Sequence, residues 1–172
     1  MELEDFKIKV LPLKNRLFRI AGRLLNNYED AEDALQEIML KIWEKRNDID
    51  KYQNIEAFAV TVTKNYCIDL LRAKKTTNFE INEEVIEIQA DNPEKGYEKS
   101  ELFELLKKGM SELPDVSKLT LQLREIEGYS IDEIAKILGT SLGNVRVILS
   151  RARNQLRNIL VKKYKFNYEK YY

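Results

Sequence analysis

Along most of this chain the apolar residues return every three or four positions, the period of an α-helix with one buried face. Phe6–Leu25 reads as one or two helices ending near Asn26–Asn27. Glu29–Lys45, Ile55–Lys74, Ser100–Leu113 and Val116–Glu127 follow with the same period. Ser100–Leu113 stops before Pro114, which cannot continue a helix. A further pair, Ile131–Leu138 and a helix from Ser141 to about Lys163, completes the series. Between them, Arg46–Asn54 is polar and reads as a loop, and residues 75–99 are acidic and polar, as a linker is. Within that linker only Phe79–Ile88 has the composition of a brief strand or docked turn. The expected fold is therefore all-α. Two small helical domains, residues 1–74 and 100–165, are joined by a flexible acidic linker over 75–99, and an aromatic tail of no assigned role covers 166–172.

The most informative stretch is Glu127–Arg157, EGYSIDEIAKILGTSLGNVRVILSRARNQLR. Ile131, Ile134, Ala135 and Leu138 share one helix face, and Gly139 follows where a left-handed residue ends a helix cheaply. Thr140 and Ser141 make the turn, and the Ser141 hydroxyl is placed to accept from the free N–H groups of the next helix. There Val145, Leu149, Ala152 and Leu156 form an apolar stripe, while Arg146, Val147, Ser150, Arg151 and Asn154 point away from it. A helix of this kind suits the DNA major groove, where arginine reads guanine edges or holds phosphate. Two amphipathic helices joined by a glycine turn also occur in proteins that never meet DNA. The charge pattern favours the first.

Formal net charge is zero, with 29 basic and 29 acidic residues, but the distribution is uneven. Residues 130–165 carry eight Lys or Arg against Asp132 and Glu133, whereas residues 73–129 hold eight basic and thirteen acidic residues. A one-sided basic excess on a helix-turn-helix is the footprint that nucleic acid selects. Other chemistry is poorly supplied. The chain has no histidine, a single cysteine (Cys67, at a core position of its helix) and no nucleophile motif or glycine-rich phosphate loop. An enzyme is not expected, nor a cofactor or a metal site. No apolar run is long enough for membrane insertion and the N-terminus is acidic, so a cytoplasmic location is expected.

One helix departs from simple amphipathicity. In Glu29–Lys45 the residues Ala31, Leu35, Ile38 and Ile42 align as the core stripe. Leu40 lands almost opposite, among Asp33, Gln36, Glu37 and Glu44, with Trp43 at the margin between the faces. An isolated exposed leucine is ordinary. An apolar centre ringed by acid and amide is also the make-up of a partner-binding face.

Taken together these stretches resemble bacterial sigma factors of the extracytoplasmic-function group, over about Leu17–Lys75 and Leu102–Leu160. DAEDALQEIMLKIW (Asp30–Trp43) is similar to the family's region 2.2, which binds the clamp helices of the β′ subunit of core RNA polymerase. AFAVTVTKNYCIDLLRAKK (Ala57–Lys75) resembles regions 2.3 and 2.4, and ELPDVSKLTLQLREIEGYSIDEIAKILGTSLGNVRVILSRARNQL resembles region 4. The resemblance implies that Asp33, Gln36, Glu37, Leu40 and Trp43 contact core polymerase. It assigns the −10 element to the loop Lys51, Tyr52, Gln53 and Asn54, and to Lys64, Asn65, Asp69 and Arg72 on the helix that follows. The −35 element falls to Ser141, Asn144, Arg146, Val147, Ser150, Arg151 and Arg153, with Arg153 and Arg157 on phosphate. Promoter DNA and an anti-sigma factor are the other implied partners.

Two departures from the family pattern stand out. Val147 occupies an outward position where relatives carry a polar residue, and Ile55–Lys64 offers Phe58 but lacks the paired tryptophans of primary sigma factors. The competing reading is a helix-turn-helix regulator that binds operators as a dimer, with the first domain as sensor or dimerisation module. Binding to core polymerase separates the two.

Overall fold

A computed structural model of the chain describes residues 1–49, 54–76 and 99–165. Nine α-helices run through these residues: α1 (Leu3–Lys9), α2 (Lys14–Leu25), α3 (Tyr28–Glu44), α4 (Arg46–Ile49), α5 (Ile55–Thr76), α6 (Lys99–Ser111), α7 (Asp115–Leu121), α8 (Ile131–Leu138) and α9 (Leu142–Lys162). The expected linker, its possible strand and the tail beyond Lys165 lie outside the described residues.

The first segment divides where Pro12 opens a 3₁₀ turn over Leu11–Leu13, so Phe6–Leu25 holds two helices rather than one. α2 ends at Asn26, which takes a left-handed conformation (φ +52°) that asparagine tolerates better than most residues. Asn27 then caps α3, its side-chain oxygen accepting the Asp30 N–H at 2.9 Å. Ala31, Leu35, Ile38 and Ile42 are all buried, as the periodicity requires. The polar stretch after α3 is not wholly loop. Arg46–Ile49 is a short helix because Ile49, fully buried, anchors it to the core.

α2 packs against α3 and α5, and α3 against α5, making one three-helix core around Leu17, Ile20, Leu24, Ile38 and Ile42. In the second domain α6, α7 and α8 pack on α9 around Leu119, Leu123, Ile134 and Ile137. The two cores touch: α2 meets α7, and α5 meets α8. Where one helix over Val116–Glu127 is predicted, α7 gives way to a π-helical turn at Gln122–Ile126. The Glu127 N–H donates to the Gln122 carbonyl at 3.0 Å, a bond spanning one residue more than an α-helical one. Apolar periodicity carries no signal for that extra residue.

Cys67 is buried and free, and burial pushes its thiol from 9.0 up to about 12. Because the folded value exceeds the unfolded one, the associated stability is complete below pH 9 and is lost as pH rises through about 12. At pH 8 the thiolate fraction falls on the order of a thousandfold below that of an unfolded cysteine. Alkylation by iodoacetamide is expected to be slow by about that factor until denaturant is added. Rapid labelling of native protein would show that the thiol is not packed.

Candidate nucleic-acid interface

The helix-turn-helix is fixed by local chemistry at each joint. Ser130 and Glu133 form a reciprocal capping box at the start of α8, and the bonds from Ser130 hold the Glu133 carboxyl below its usual range. Gly139 ends α8 at φ +65°, where any side chain would be strained. Ser141 then caps α9, its Oγ accepting the Asn144 N–H at 3.1 Å. The Asn144 Nδ2 donates to Thr140 Oγ1 at 2.8 Å. Ser141 and Asn144, read from the sequence as DNA contacts, thus hold the turn while staying exposed.

α9 buries Val145, Leu149 and Ala152 and half-buries Leu156. Arg146, Val147, Ser150, Arg151 and Asn154 are exposed on the opposite sector, with Val147 at 44%. Arg153 sits at the edge of that sector. Its Nε and Nη2 both donate to Glu125 Oε1, at 3.1 and 2.5 Å, so in this arrangement it is tied to the π-helical turn.

Of the residues read as facing the −10 element, Lys51, Tyr52 and Gln53 lie outside the described residues. Asn54 is exposed and caps α5, accepting the Ala57 N–H at 2.9 Å. Asn65, Asp69 and Arg72 are exposed and fall along one line of α5, with Arg72 Nη1 3.8 Å from Asp69 Oδ1. Lys64 lies off that line. It donates to the Ile137 carbonyl at the end of α8, at 3.0 Å, and burial lowers its pKa.

On α3, Asp33, Gln36, Glu37 and Leu40 are exposed together, Leu40 at 55%. Trp43 is half-buried, edge-on to Phe6 at 5.1 Å and 4.5 Å beneath the Arg46 guanidinium. Beside Leu40 and Trp43 opens an apolar groove of about 820 Å³, closed on its far side by Phe6, Leu11 and Phe18. Sequence periodicity identified the acidic rim and Leu40 but not this groove, because Phe6 and Leu11 come from a separate helical turn.

A further cluster escaped sequence reading altogether. The Glu127 carboxylate, its side chain only 1% exposed, accepts from Arg19 Nε at 3.2 Å and Nη2 at 2.9 Å, and lies 3.3 Å from Arg16 Nε. The Tyr129 hydroxyl donates to Glu56 at 2.5 Å and its ring lies beneath the Arg16 guanidinium at 5.6 Å. Burial and the bond to Glu56 both raise the Tyr129 pKa. Arg16 also pairs with Glu56. These groups clamp α2 and α5 against the segment joining α7 to α8, with partners as much as 108 residues apart in sequence.

The Sigma-70 region 2 family model matches residues 10–77, and the Sigma-70, region 4 model matches residues 103–156. The ECF RNA polymerase sigma factor SigE of Mycolicibacterium smegmatis is 33% identical over 153 residues, covering 86% of this chain. This chain spans 58% of that relative's length. SigW of Bacillus subtilis, also an ECF RNA polymerase sigma factor, is 27% identical over 158 residues, covering 86% of this chain and 84% of SigW. In fold, the chain matches the sigma factor RpoE from Bartonella quintana, solved in complex with the anti-sigma factor NepR. The TM-score is 0.77 at 23% identity, over 93% of this chain and 99% of that one. No helix among the described residues is long and apolar enough to cross a membrane. With the two matched regions in their order and the helix-turn-helix built as above, the chain belongs to the sigma-70 family of promoter-selecting transcription initiation factors, in its extracytoplasmic-function group.

Proposed function

We propose that this chain docks on core RNA polymerase through the α3 face around Leu40, reads the −35 element with α9, and engages the −10 element with α5. The observation that carries this reading is the sidedness of α9. Its apolar stripe is used up against α7 and α8, leaving Arg146, Val147, Ser150 and Arg151 in solvent with no structural duty. Base contacts worth about 1–3 kcal/mol for each good bidentate pair then choose the promoter, and phosphate contacts add salt-sensitive affinity. The chain performs no covalent chemistry of its own in this scheme and works in the cytoplasm, where polymerase is. RpoE, whose fold it shares, is solved with an anti-sigma factor, and a partner of that class is proposed here too.

In vitro transcription with core polymerase on a promoter library tests the whole reading: the chain should create start sites that core alone does not use, and their absence refutes it. Val147 offers a finer check. Its apolar side chain suits a thymine methyl, so Val147→Ser is expected to change base preference at one −35 position by roughly 1 kcal/mol, or about fivefold. Selection from a randomised −35 library measures it, and an unchanged preference removes Val147 from the reading surface.

A further inference from the structure

The apolar stripe of α9, Val145, Leu149, Ala152 and Leu156, has a counterpart two residues back from each of its members. Gly143, Val147, Ser150 and Asn154 repeat at the same steps and so lie about 200° round the helix. All four are exposed. They form the centre line of the outward sector, with Arg146 on one side and Arg151 on the other. Three members of that line carry side chains that can touch a partner. Gly143, in the first turn, carries none.

Nothing inside the chain calls for that glycine. Gly139 is needed for its left-handed backbone. Gly109 makes room for α9, since a Cβ there would come within 2.9 Å of Leu156 Cδ1. Gly143 lies outside the left-handed region, and a Cβ on it would meet only Ser141 Oγ, at an ordinary 3.9 Å. Alanine would fit there and would favour the helix, because it leaves the unfolded chain less freedom to lose. The turn beside it is already fastened, with the Asn144 N–H donating to Ser141 Oγ and Asn144 Nδ2 to Thr140 Oγ1. A helix-disfavouring residue at an exposed, unstrained and uncrowded position marks space kept for something outside the chain.

We infer that the DNA duplex packs directly on the α9 backbone at Gly143, so that this residue sets how deeply the helix lies in the major groove. The inference rests on the reading of α9 as the −35 helix. It adds a requirement to that reading: the first turn must present no side chain on its centre line. The major groove is about 12 Å wide and a helix with its side chains about 10–12 Å across, so one carbon alters the depth of entry. The N-terminal residues of a recognition helix are the ones that meet base edges. Arg146 and Arg151, on either side of the line, then reach bases or phosphates only at the depth Gly143 permits. Gly143 is a positioning residue, acting through the side chains beside it.

Gly143→Ala in the full chain tests this. The melting temperature of the free variant should rise by about 1–4 °C, and its retention on core polymerase should match the wild type. Fluorescence anisotropy then measures how the assembled polymerase binds a promoter carrying the −35 element selected from the library. Gly143→Ala should weaken that binding roughly tenfold, and Gly143→Leu should weaken it further. On a promoter with a scrambled −35 element both variants should equal the wild type. A gain in stability together with a loss of −35 affinity is the expected result, and a glycine serving only the fold would not give it. Undiminished affinity of Gly143→Ala overturns the proposal, as does a lowered melting temperature. Arg151→Ala separates that failure from a wider one. If Arg151→Ala weakens −35 binding and Gly143→Ala does not, α9 still reads the element and only the close packing falls. If neither weakens it, the assignment of α9 falls as well.

Discussion

Leu40→Asp is expected to cut retention on core RNA polymerase at least roughly thirtyfold while leaving helical content and melting temperature unchanged. The two halves of that expectation rest on the same fact. Leu40 is 55% exposed on the face of α3 opposite its buried stripe, so its loss removes no core packing. Exposed positions of this kind usually alter stability by no more than about 0.5 kcal/mol. At the centre of an interface, by contrast, an apolar anchor is worth about 2 kcal/mol or more. Asp also places a desolvated charge beside Asp33 and Glu37, against whatever complementary surface these acids face. A pull-down with purified core measures the effect. Equal retention of both forms would move the contact off this face of α3.

A second large effect is expected at the seam between the domains. Glu127→Arg puts a third cation where Arg16 and Arg19 now share one buried carboxylate. Removing one partner of a buried pair costs about 3–5 kcal/mol, and less here because both arginines are one-third exposed. The contacts of α2 with α7 and of α5 with α8 should then part. The radius of gyration by X-ray scattering should rise as Lys64 and the end of α8 separate. An unchanged radius would show that the clamp does not hold the domains together. Arg19→Gln, a milder change at the same site, should shift the radius in the same direction.

The difference between what was and was not legible in the sequence tracks the range of the interactions. Gly139 and Ser141 announce the turn because the backbone chemistry that selects them lies within four residues. Leu40 is legible for the same reason: one helical wheel contains all its neighbours. Ile49 was lost in a polar stretch because a single buried residue makes no period. The clamp of Arg16, Arg19, Glu56 and Glu127 was invisible, since nothing in a local window distinguishes a surface carboxylate from one paired with a residue 108 positions away.

The extra residue in the Gln122–Ile126 turn has a wider consequence. Glu125 restrains Arg153 of α9, and Glu127, two residues later, secures Arg19 of α2. Both assignments depend on register. Shortening this segment by one residue to regular α-helical geometry would swing the chain beyond it by about 100°, carrying Glu127 away from its arginines. Spacing thus matters here as much as any one side chain: a substitution can break the linkage, whereas an insertion or deletion would re-aim it.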